Sequence, residues 1–319
     1  MKKSLMAVGI IVIVVFGSGI YFIVKEKPTE IQFLPTQLTV TTSTSTINNP
    51  LEIVILTAML TSNGAPIERK IIKWSASPDL HFLSLITDSA GKISFNCRPG
   101  LFSYADQPDN TLTFIASFAG DDRYQGSTGS VPIIVTWENF WTSEAPHYEV
   151  VASLEWVYDG DTIDVRIENI VADLDPAGEV YDNTVERVRF GGGIDAPEMG
   201  LPRAVKAKEF VASLIYGVPF IEDENVVVYH SFVVSPTIYL DLDNLAESPS
   251  GRPYRGKYER LIAVIYVKRS GKWINVNAEL LRWGMEAYPD HDWLKYMHYT
   301  SEFDPNEWLE ENYPELALS

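Results

Sequence analysis

Hydrophobic and polar residues form three different patterns along the chain, and the first is an unbroken apolar run over residues 4–24, with lysines on both sides. About 20 consecutive apolar residues span a bilayer when they form a helix. The apolar core of a cleavable signal peptide is shorter, about 7–15 residues. The run therefore predicts that residues 1–27 are a single-pass transmembrane anchor or a signal segment.

The second pattern, over residues 28–137, consists of short alternating segments separated by turn residues. Residues 51–58 alternate, Asn63-Gly64 is a turn signal, and residues 92–97 and 111–118 have the composition of strands. Short strands at regular spacing are typical of two packed β-sheets. We therefore predict a β-sandwich that holds the next domain away from the membrane.

Two segments of this region resemble the bacterial immunoglobulin-like domains of surface proteins. They are T-D-S-A-G-K-I-S-F from Thr87 and F-A-G-D-D-R-Y-Q-G-S-T from Phe118. The resemblance implies an immunoglobulin-like fold without the antibody disulfide, and the one cysteine, Cys97, excludes an intrachain disulfide. Because such domains lie on cell surfaces, we expect a cell-membrane protein, anchored by its N-terminal helix, with its C-terminal domains outside the cell.

The third pattern mixes strands and helices over residues 148–319, after a linker at residues 138–147. Residues 150–158, 162–167, 225–229 and 260–267 read as strands. Residues 202–216 and 277–283 have the apolar spacing of helices, and each is followed by a glycine that favours a helix end, Gly217 and Gly284. Short helices are also predicted near residues 293–298 and 306–312.

The chain is strongly acidic, with 43 acidic residues, 25 basic residues and a net charge of −18. Most of its surface is therefore a poor electrostatic match for nucleic acid. Its basic residues cluster in the third region, so any phosphate-binding surface there must be a local patch. The clustered residues are Arg187, Arg189, Arg203, Lys206, Lys208, Arg252, Arg255, Lys257 and Arg260.

Candidate chemistry is concentrated in residues 187–198, which read R-V-R-F-G-G-G-I-D-A-P-E. Two carboxylates, Asp195 and Glu198, follow the end of a strand, and two arginines precede them. A second acidic turn, D-G-D-T, begins at Asp159 between two strands. Carboxylates hold hard cations, and guanidinium groups bind phosphate oxygens in a planar fork. A site with both kinds of group is suited to phosphodiesters.

Four motifs of this region, in this order, resemble the staphylococcal (micrococcal) nuclease family, the thermonucleases. They are D-G-D-T, then R-(x)n-I-D-A-P-E, then Y-x-R-L-I-A-V-I-Y from Tyr258, then V-N-A-E-L-L-R-W-G from Val276. The resemblance covers residues 148–288. It implies an OB-fold, a five-stranded Greek-key barrel with packed helices. The predicted fold class is therefore multidomain: a transmembrane helix, an all-β immunoglobulin-like sandwich and an α+β OB-fold domain.

The resemblance also implies a calcium site. In the family, Ca²⁺ is held by the residues that correspond here to Asp161, Asp195 and the backbone carbonyl of Ala196. Water and a substrate phosphate complete the oxygen ligands that Ca²⁺ prefers. Glu198 corresponds to the residue that orients or deprotonates the attacking water.

By the same resemblance, Arg189 and Arg260 hold the phosphate, and Tyr258 and Tyr288 lie beside the nucleotide. The implied reaction is Ca²⁺-dependent hydrolysis of DNA or RNA, with low base specificity and 3′-phosphate products. Arg189 departs from the family pattern, because it lies six residues before Asp195 rather than five. We expect a β-bulge at the following glycines to turn it back toward the site, with Arg187 as the alternative.

Three further points stay open in the sequence. The family often has an aspartate four residues before the second arginine, where this chain has Gly256, and Asp241 or Asp243 is a candidate replacement. The scattered histidines form no zinc or nucleophile pattern, and no protein partner is evident. The alternative functions are a catalytically impaired domain that binds nucleic acid or another ligand, and a purely structural surface protein.

Overall fold

The structure is a computed structural model that describes residues 15–16, 19–20, 33–49, 52–76, 80–99, 111–136, 141–223, 226, 235–269, 271–295 and 303–312. Of these residues, 44% are in strands and 16% in helices. The described chain is therefore mostly β.

The described part of the N-terminal apolar run is a pair of antiparallel strands, β1 (Val15–Phe16) and β2 (Gly19–Ile20). Within the described ranges, no helix is long and apolar enough to cross a bilayer. The predicted transmembrane helix, the fold class that began with it and the membrane location that depended on it are therefore wrong. The run is rich in β-branched residues, which favour strands, and its hydropathy alone does not distinguish a strand from a helix. The remainder of residues 4–24 lies outside the described residues.

The second region consists of strands in two sheets. These strands are β3 (Gln37–Thr42), β4 (Thr46–Ile47), β5 (Val54–Ser62), β6 (Ala65–Pro66), β7 (Ile71–Ala76), β8 (Leu80–Ile86), β9 (Lys92–Arg98), β10 (Thr111–Phe118) and β11 (Ser127–Val135). One sheet has the order β4-β11-β10-β7-β8, and the other contains β9-β5-β3, with β6 paired to β5.

The two sheets share one apolar core. Buried residues alternate with partly buried or exposed ones along β5 and β10, as expected for strands with one face against a core. Trp74 of β7 and Phe95 of β9 meet edge to face across the sheets, with ring centroids 5.0 Å apart. Cys97 is a fully buried member of the same core, and burial raises the pKa of its thiol well above the usual range.

The third region forms a closed barrel. Its elements are β12 (Val150–Val157), β13 (Thr162–Ile170), a 3₁₀ turn (Pro176–Gly178), β14 (Val185–Phe190), α1 (Pro202–Tyr216), β15 (Phe220–Ile221), β16 (Thr237–Leu242), β17 (Leu261–Arg269), β18 (Lys272–Asn275), α2 (Val276–Ala287) and α3 (Pro305–Asn312). Five strands pair in the order β14-β13-β12-β16-β17, and a parallel pairing of β14 with β17 closes the ring.

Local sequence signals set the bounds of helix α1, whereas tertiary packing explains why helix α2 continues through its glycine. Helix α1 has the predicted bounds, because Pro202 favours the first turn and Gly217, at φ 67°, ends it. Helix α2 instead continues through Gly284 to Ala287, so the predicted stop at Gly284 is wrong. A Cβ on Gly284 would lie 2.4 Å from the ring of Trp293. Glycine is therefore required there by close packing and does not end the helix.

One strand pairing crosses the predicted domain boundary. Strand β15, which follows α1, pairs antiparallel with the end of β9, so it extends the second sheet of the sandwich. The buried Arg98 of β9 forms an ion pair with Glu222, next to β15. The predicted linker also packs on the barrel, because Trp141 donates a hydrogen bond to Glu279 at 3.0 Å.

Two predicted elements have other outcomes. The described part of residues 293–298 forms a turn, and the remainder lies outside the described residues. The predicted strand at residues 225–229 also lies outside the described residues, apart from Val226, which is not in a strand.

Candidate active site at the rim of the barrel

The D-G-D-T turn joins β12 to β13 and packs closely against two other elements. Tyr158 N donates to Thr162 O at 2.9 Å, which makes the turn a hairpin connection. A Cβ on Gly160 would lie 2.7 Å from the Cβ atoms of both Ala196 and Ala207. Glycine therefore allows the turn to touch the D-A-P-E loop and helix α1.

The loop that carries Asp195 begins with a sharp reversal of the chain. Strand β14 pairs with β13 from Val185 to Arg189 without a register shift, and the chain then turns through Gly192 (φ 79°) and Gly193 (φ 70°). The expected β-bulge, which was to turn Arg189 toward the site, is therefore not formed in this pairing. Two left-handed glycines after the strand accommodate the extra residue, so the facing of Arg189 within the strand is unchanged.

The two acidic loops meet at one point. Ala196 N donates a hydrogen bond to Asp161 Oδ2 at 2.6 Å, across 35 residues of sequence. Arg189 Nη2 lies 3.3 Å from Asp161 Oδ2 and 3.0 Å from Asp195 Oδ1. Asp161 and Asp195 are only 3% and 5% exposed. Because both carboxylates contact the same guanidinium nitrogen, they form one buried acidic pair.

Burial controls the electrostatics of this pair. Burial raises the pKa of Asp161 to about 7; the charge of Arg189 opposes this rise and that of Asp159 adds to it. Burial lowers the pKa of Arg189, but Asp161, Asp195 and Asp159 outweigh it and leave the pKa raised. Burial and the nearby Arg189 lower the pKa of Arg260. At Asp161, burial thus outweighs the opposing charge of Arg189.

Arg189 and Arg260 line one cavity of about 630 Å³, together with Tyr258 and Asp243. Arg260 Nη1 donates to Thr162 Oγ1 at 3.4 Å, and its guanidinium lies 5.6 Å from the centre of the Tyr258 ring. Tyr258 is 70% exposed. Its position beside a phosphate-binding cation is suited to contact with a nucleotide.

Arg187 has a different environment. It forms a two-point ion pair with Asp164 at 2.7 and 2.9 Å and lies over the Tyr158 ring. It lines a neighbouring cavity of about 690 Å³, which it shares with Arg260. Arg189 is thus the arginine that contacts the buried aspartates, and Arg187 belongs to an adjoining surface.

Glu198 and Tyr288 contrast in their surroundings. Glu198 is exposed, and none of the described residues makes a hydrogen bond or ion pair with its side chain. Tyr288 is partly buried against the barrel core, where its ring packs on Trp283 at 5.6 Å, and its carbonyl accepts from Trp293 Nε1. Tyr288 thus packs with α2, and a role beside a nucleotide stays a prediction.

The residues present are suited to a hard cation. The expected ligands, Asp161, Asp195 and the Ala196 carbonyl, offer only oxygen atoms, which Ca²⁺ prefers. The raised pKa of Asp161 reflects its burial, which the charge of Arg189 opposes only in part. An ion would compete with Arg189 for both carboxylates and with Lys295, whose Nζ lies 3.4 Å from Asp195 Oδ2.

The structure also adds residues that no sequence motif marks. Residues 291–295 support the loop of Asp195: His291 Nε2 lies 2.7 Å from Asp195 O, and Asp195 N donates to Trp293 O at 2.9 Å.

Of the two candidate replacement aspartates, Asp243 lines the cavity of Arg189 and Arg260. Asp241 instead contacts His147 at 3.0 Å.

Comparisons with known proteins add no family assignment. No protein-family model matches this chain, and no curated protein is similar enough to count as a match. The resemblances to the staphylococcal nucleases and to the immunoglobulin-like domains therefore stay predictions.

Proposed function

We propose that the barrel domain is a staphylococcal-nuclease-like phosphodiesterase that hydrolyses DNA or RNA with a bound Ca²⁺ ion. One observation carries this proposal: Arg189 contacts Asp161 and Asp195 together, and Arg260 shares its cavity. Buried carboxylates for a cation therefore adjoin two guanidinium groups for a phosphate.

The arginines bind and polarise the scissile phosphate. A guanidinium has five N–H donors, and the contacts of Arg189 with Asp161, Asp195 and the Ile194 carbonyl all use one nitrogen, Nη2. Arg260 lies beside the same cavity, half-buried, where its charge is weakly screened. Donors that are already in place when negative charge develops on the phosphoryl oxygens stabilise the transition state.

Glu198 takes the proton of the attacking water. It is exposed at the rim, three residues after the buried Asp195, so its carboxylate is accessible to water. Asp161, Asp195 and the carbonyl of Ala196 would hold the Ca²⁺ ion, which would supply further charge neutralisation at the phosphate. Since the arginines address phosphate, base specificity is low.

The direct test uses the full chain with denatured DNA or RNA, in Ca²⁺ or in a chelator. We expect digestion with Ca²⁺ and none with the chelator. Arg260→Ala should lower kcat/KM by about 10²–10³-fold, as removal of a transition-state donor does. Arg166→Ala is the matched control, because Arg166 forms an exposed ion pair with Glu155. The absence of digestion in both tubes would refute the proposal.

A second candidate is a catalytically impaired domain that binds nucleic acid. The observation in its favour is that Arg189 Nη2 already contacts Asp161, Asp195 and the carbonyl of Ile194. Lys295 adds a second cation beside Asp195. An oligonucleotide that binds in an Arg260-dependent way, and is not cleaved with Ca²⁺, would establish this candidate.

A further inference from the structure

A second group of potential metal ligands lies where the chain enters the barrel. Glu149 immediately precedes Val150, the first residue of β12, His147 lies two residues before Glu149, and Asp241 is in β16. His147 and Asp241 are 94 residues apart in sequence. Strand pairing brings them together, because Val150 lies opposite Leu240. One ligand atom from each of the three residues lies within 4.8 Å of the other two.

The distances in this group suit a shared ion. His147 Nδ1 lies 3.0 Å from Asp241 Oδ1 and 3.6 Å from Glu149 Oε1. Zn²⁺ binds imidazole nitrogen and carboxylate oxygen at about 2.0–2.2 Å, so the ligand atoms of a tetrahedral site are about 3.3–3.5 Å apart. The two distances bracket this separation.

The carboxylate of Glu149 is buried and held in position. Its side chain is only 6% exposed, and its Oε2 accepts a hydrogen bond from Leu242 N at 2.9 Å. That bond leaves Oε1 facing His147. In metal sites, a ligand side chain is usually oriented by a hydrogen bond to a neighbouring group that does not itself bind the metal. The side chain of His147 is 70% exposed, so an ion can enter from solvent and keep water as a fourth ligand.

We propose that His147 Nδ1, Glu149 Oε1 and Asp241 Oδ1 bind one Zn²⁺ ion. The mixture of one imidazole and two carboxylates favours Zn²⁺ over Ca²⁺, which takes six to eight oxygen ligands. The ion fastens the segment before β12 to strand β16. The D-G-D-T turn follows the other end of β12, so roughly 25 Å of strand separates the two sites. This Zn²⁺ site is therefore independent of the proposed nuclease activity.

The test is titration of the chelator-treated full chain with Zn²⁺ by calorimetry, followed by Co²⁺ substitution. We expect tight Zn²⁺ binding and visible d–d absorption of four-coordinate Co²⁺. His147→Ala and Asp241→Asn should each weaken that binding by at least about 100-fold, because loss of a ligand exceeds the effect of losing an outer partner.

Three controls make the result decisive. His81→Ala changes an exposed histidine of the sandwich and should leave the affinity unchanged. Asp161→Asn changes the other acidic site and should leave the His147-dependent Co²⁺ spectrum intact. Thermal unfolding in chelator shows whether each variant is folded. Failure of the wild-type protein to bind Zn²⁺, or equal binding by folded His147→Ala, would overturn the site.

Discussion

Ala196 donates its backbone N–H to Asp161 at 2.6 Å, and this bond joins the two loops of the candidate active site. The bond exists because Gly160 lets the D-G-D-T turn approach the D-A-P-E loop within van der Waals contact. The position of the acidic pair therefore depends on a residue without a side chain.

Gly160→Ala should separate the two loops. Its new Cβ would lie 2.7 Å from two other Cβ atoms, so the turn must move, at a cost of about 1–3 kcal/mol. A displacement of about 1 Å at a catalytic group lowers activity about 10²-fold. The measurements are the urea midpoint of unfolding and kcat/KM on denatured DNA.

Gly191→Ala is the matched control for this substitution. A Cβ at Gly191 would meet its nearest neighbours at 3.4 Å, which is ordinary contact, and Gly191 does not have a positive φ. This variant should keep most of its stability and activity. Equal losses in both variants would mean that close approach at Gly160 is not what positions the loops.

Arg189→Lys and Arg187→Lys should have unequal effects. Arg189 Nη2 contacts two buried carboxylates, and lysine lacks the planar fork that also presents donors to phosphate. We expect kcat/KM to fall about 10²–10³-fold in Arg189→Lys. Arg187 forms an exposed ion pair with Asp164, and such pairs contribute about 0–1 kcal/mol to stability. Arg187→Lys should therefore retain activity, and a larger loss there would reassign the first phosphate-binding arginine.

The sequence predicts those parts of the fold and site that depend on local signals. Pro202 and Gly217 bound α1 as predicted, because each acts within one helical turn. Gly284 has the same local signature as Gly217, yet it lies inside α2, because the distant Trp293 ring occupies the space of its side chain. A glycine selected by packing is not distinguishable in sequence from one that ends a helix.

The same limit applies to residues that only strand pairing brings together. The motifs identified Asp161, Asp195 and Arg189, which the structure brings into contact. They gave no indication of His147 beside Asp241, because that contact depends on the register of β12 with β16. The prediction of a transmembrane helix from the N-terminal run was wrong for another reason, because apolar β-branched residues are compatible with both a membrane helix and strands.

The stability of the ion-free protein should depend on pH through Asp161. Burial raises its pKa to about 7, above the value of 3.8 expected in the unfolded chain. The folded state therefore binds more protons between these values, and stability falls as pH rises through this window, by an amount on the order of a few kcal/mol. Denaturation in chelator at pH 5 and pH 8 measures the difference. Asp161→Asn should flatten it, and an unchanged slope in that variant would assign the effect to another group.

Bound Ca²⁺ should reverse the pH dependence of stability, because the ion binds only the ionised form of Asp161. A carboxylate ligand must be ionised to bind the ion, so the apparent Ca²⁺ affinity should weaken as pH falls below about 7. Calorimetry in two buffers of different ionisation enthalpy should detect proton release on binding at pH 6. Binding without proton release would place the ion at a site that does not include Asp161.

Trp156 should contribute a stacking surface for single-stranded substrate. It is 57% exposed, because the pairing of β12 with β13 shifts register between Leu154 and Trp156, and Lys208 Nζ lies 4.7 Å from the centre of its ring. An exposed ring beside a cation is the arrangement on which bases of single strands stack, at about 1–3 kcal/mol per base. Trp156→Ala should therefore raise KM for denatured DNA and leave kcat unchanged.

The control for Trp156→Ala is Tyr181→Ala, which removes a ring that is 56% exposed on the connection between β13 and β14. Affinity for a short oligothymidine, measured by fluorescence anisotropy, should fall about 5–150-fold in Trp156→Ala and stay unchanged in the control. Since each phosphate contact adds to the salt dependence, Lys208→Ala should also reduce the slope of log affinity against log salt. If Trp156→Ala binds the oligonucleotide as tightly as the control does, the substrate follows another path, such as the surface formed by Tyr158 and Arg187.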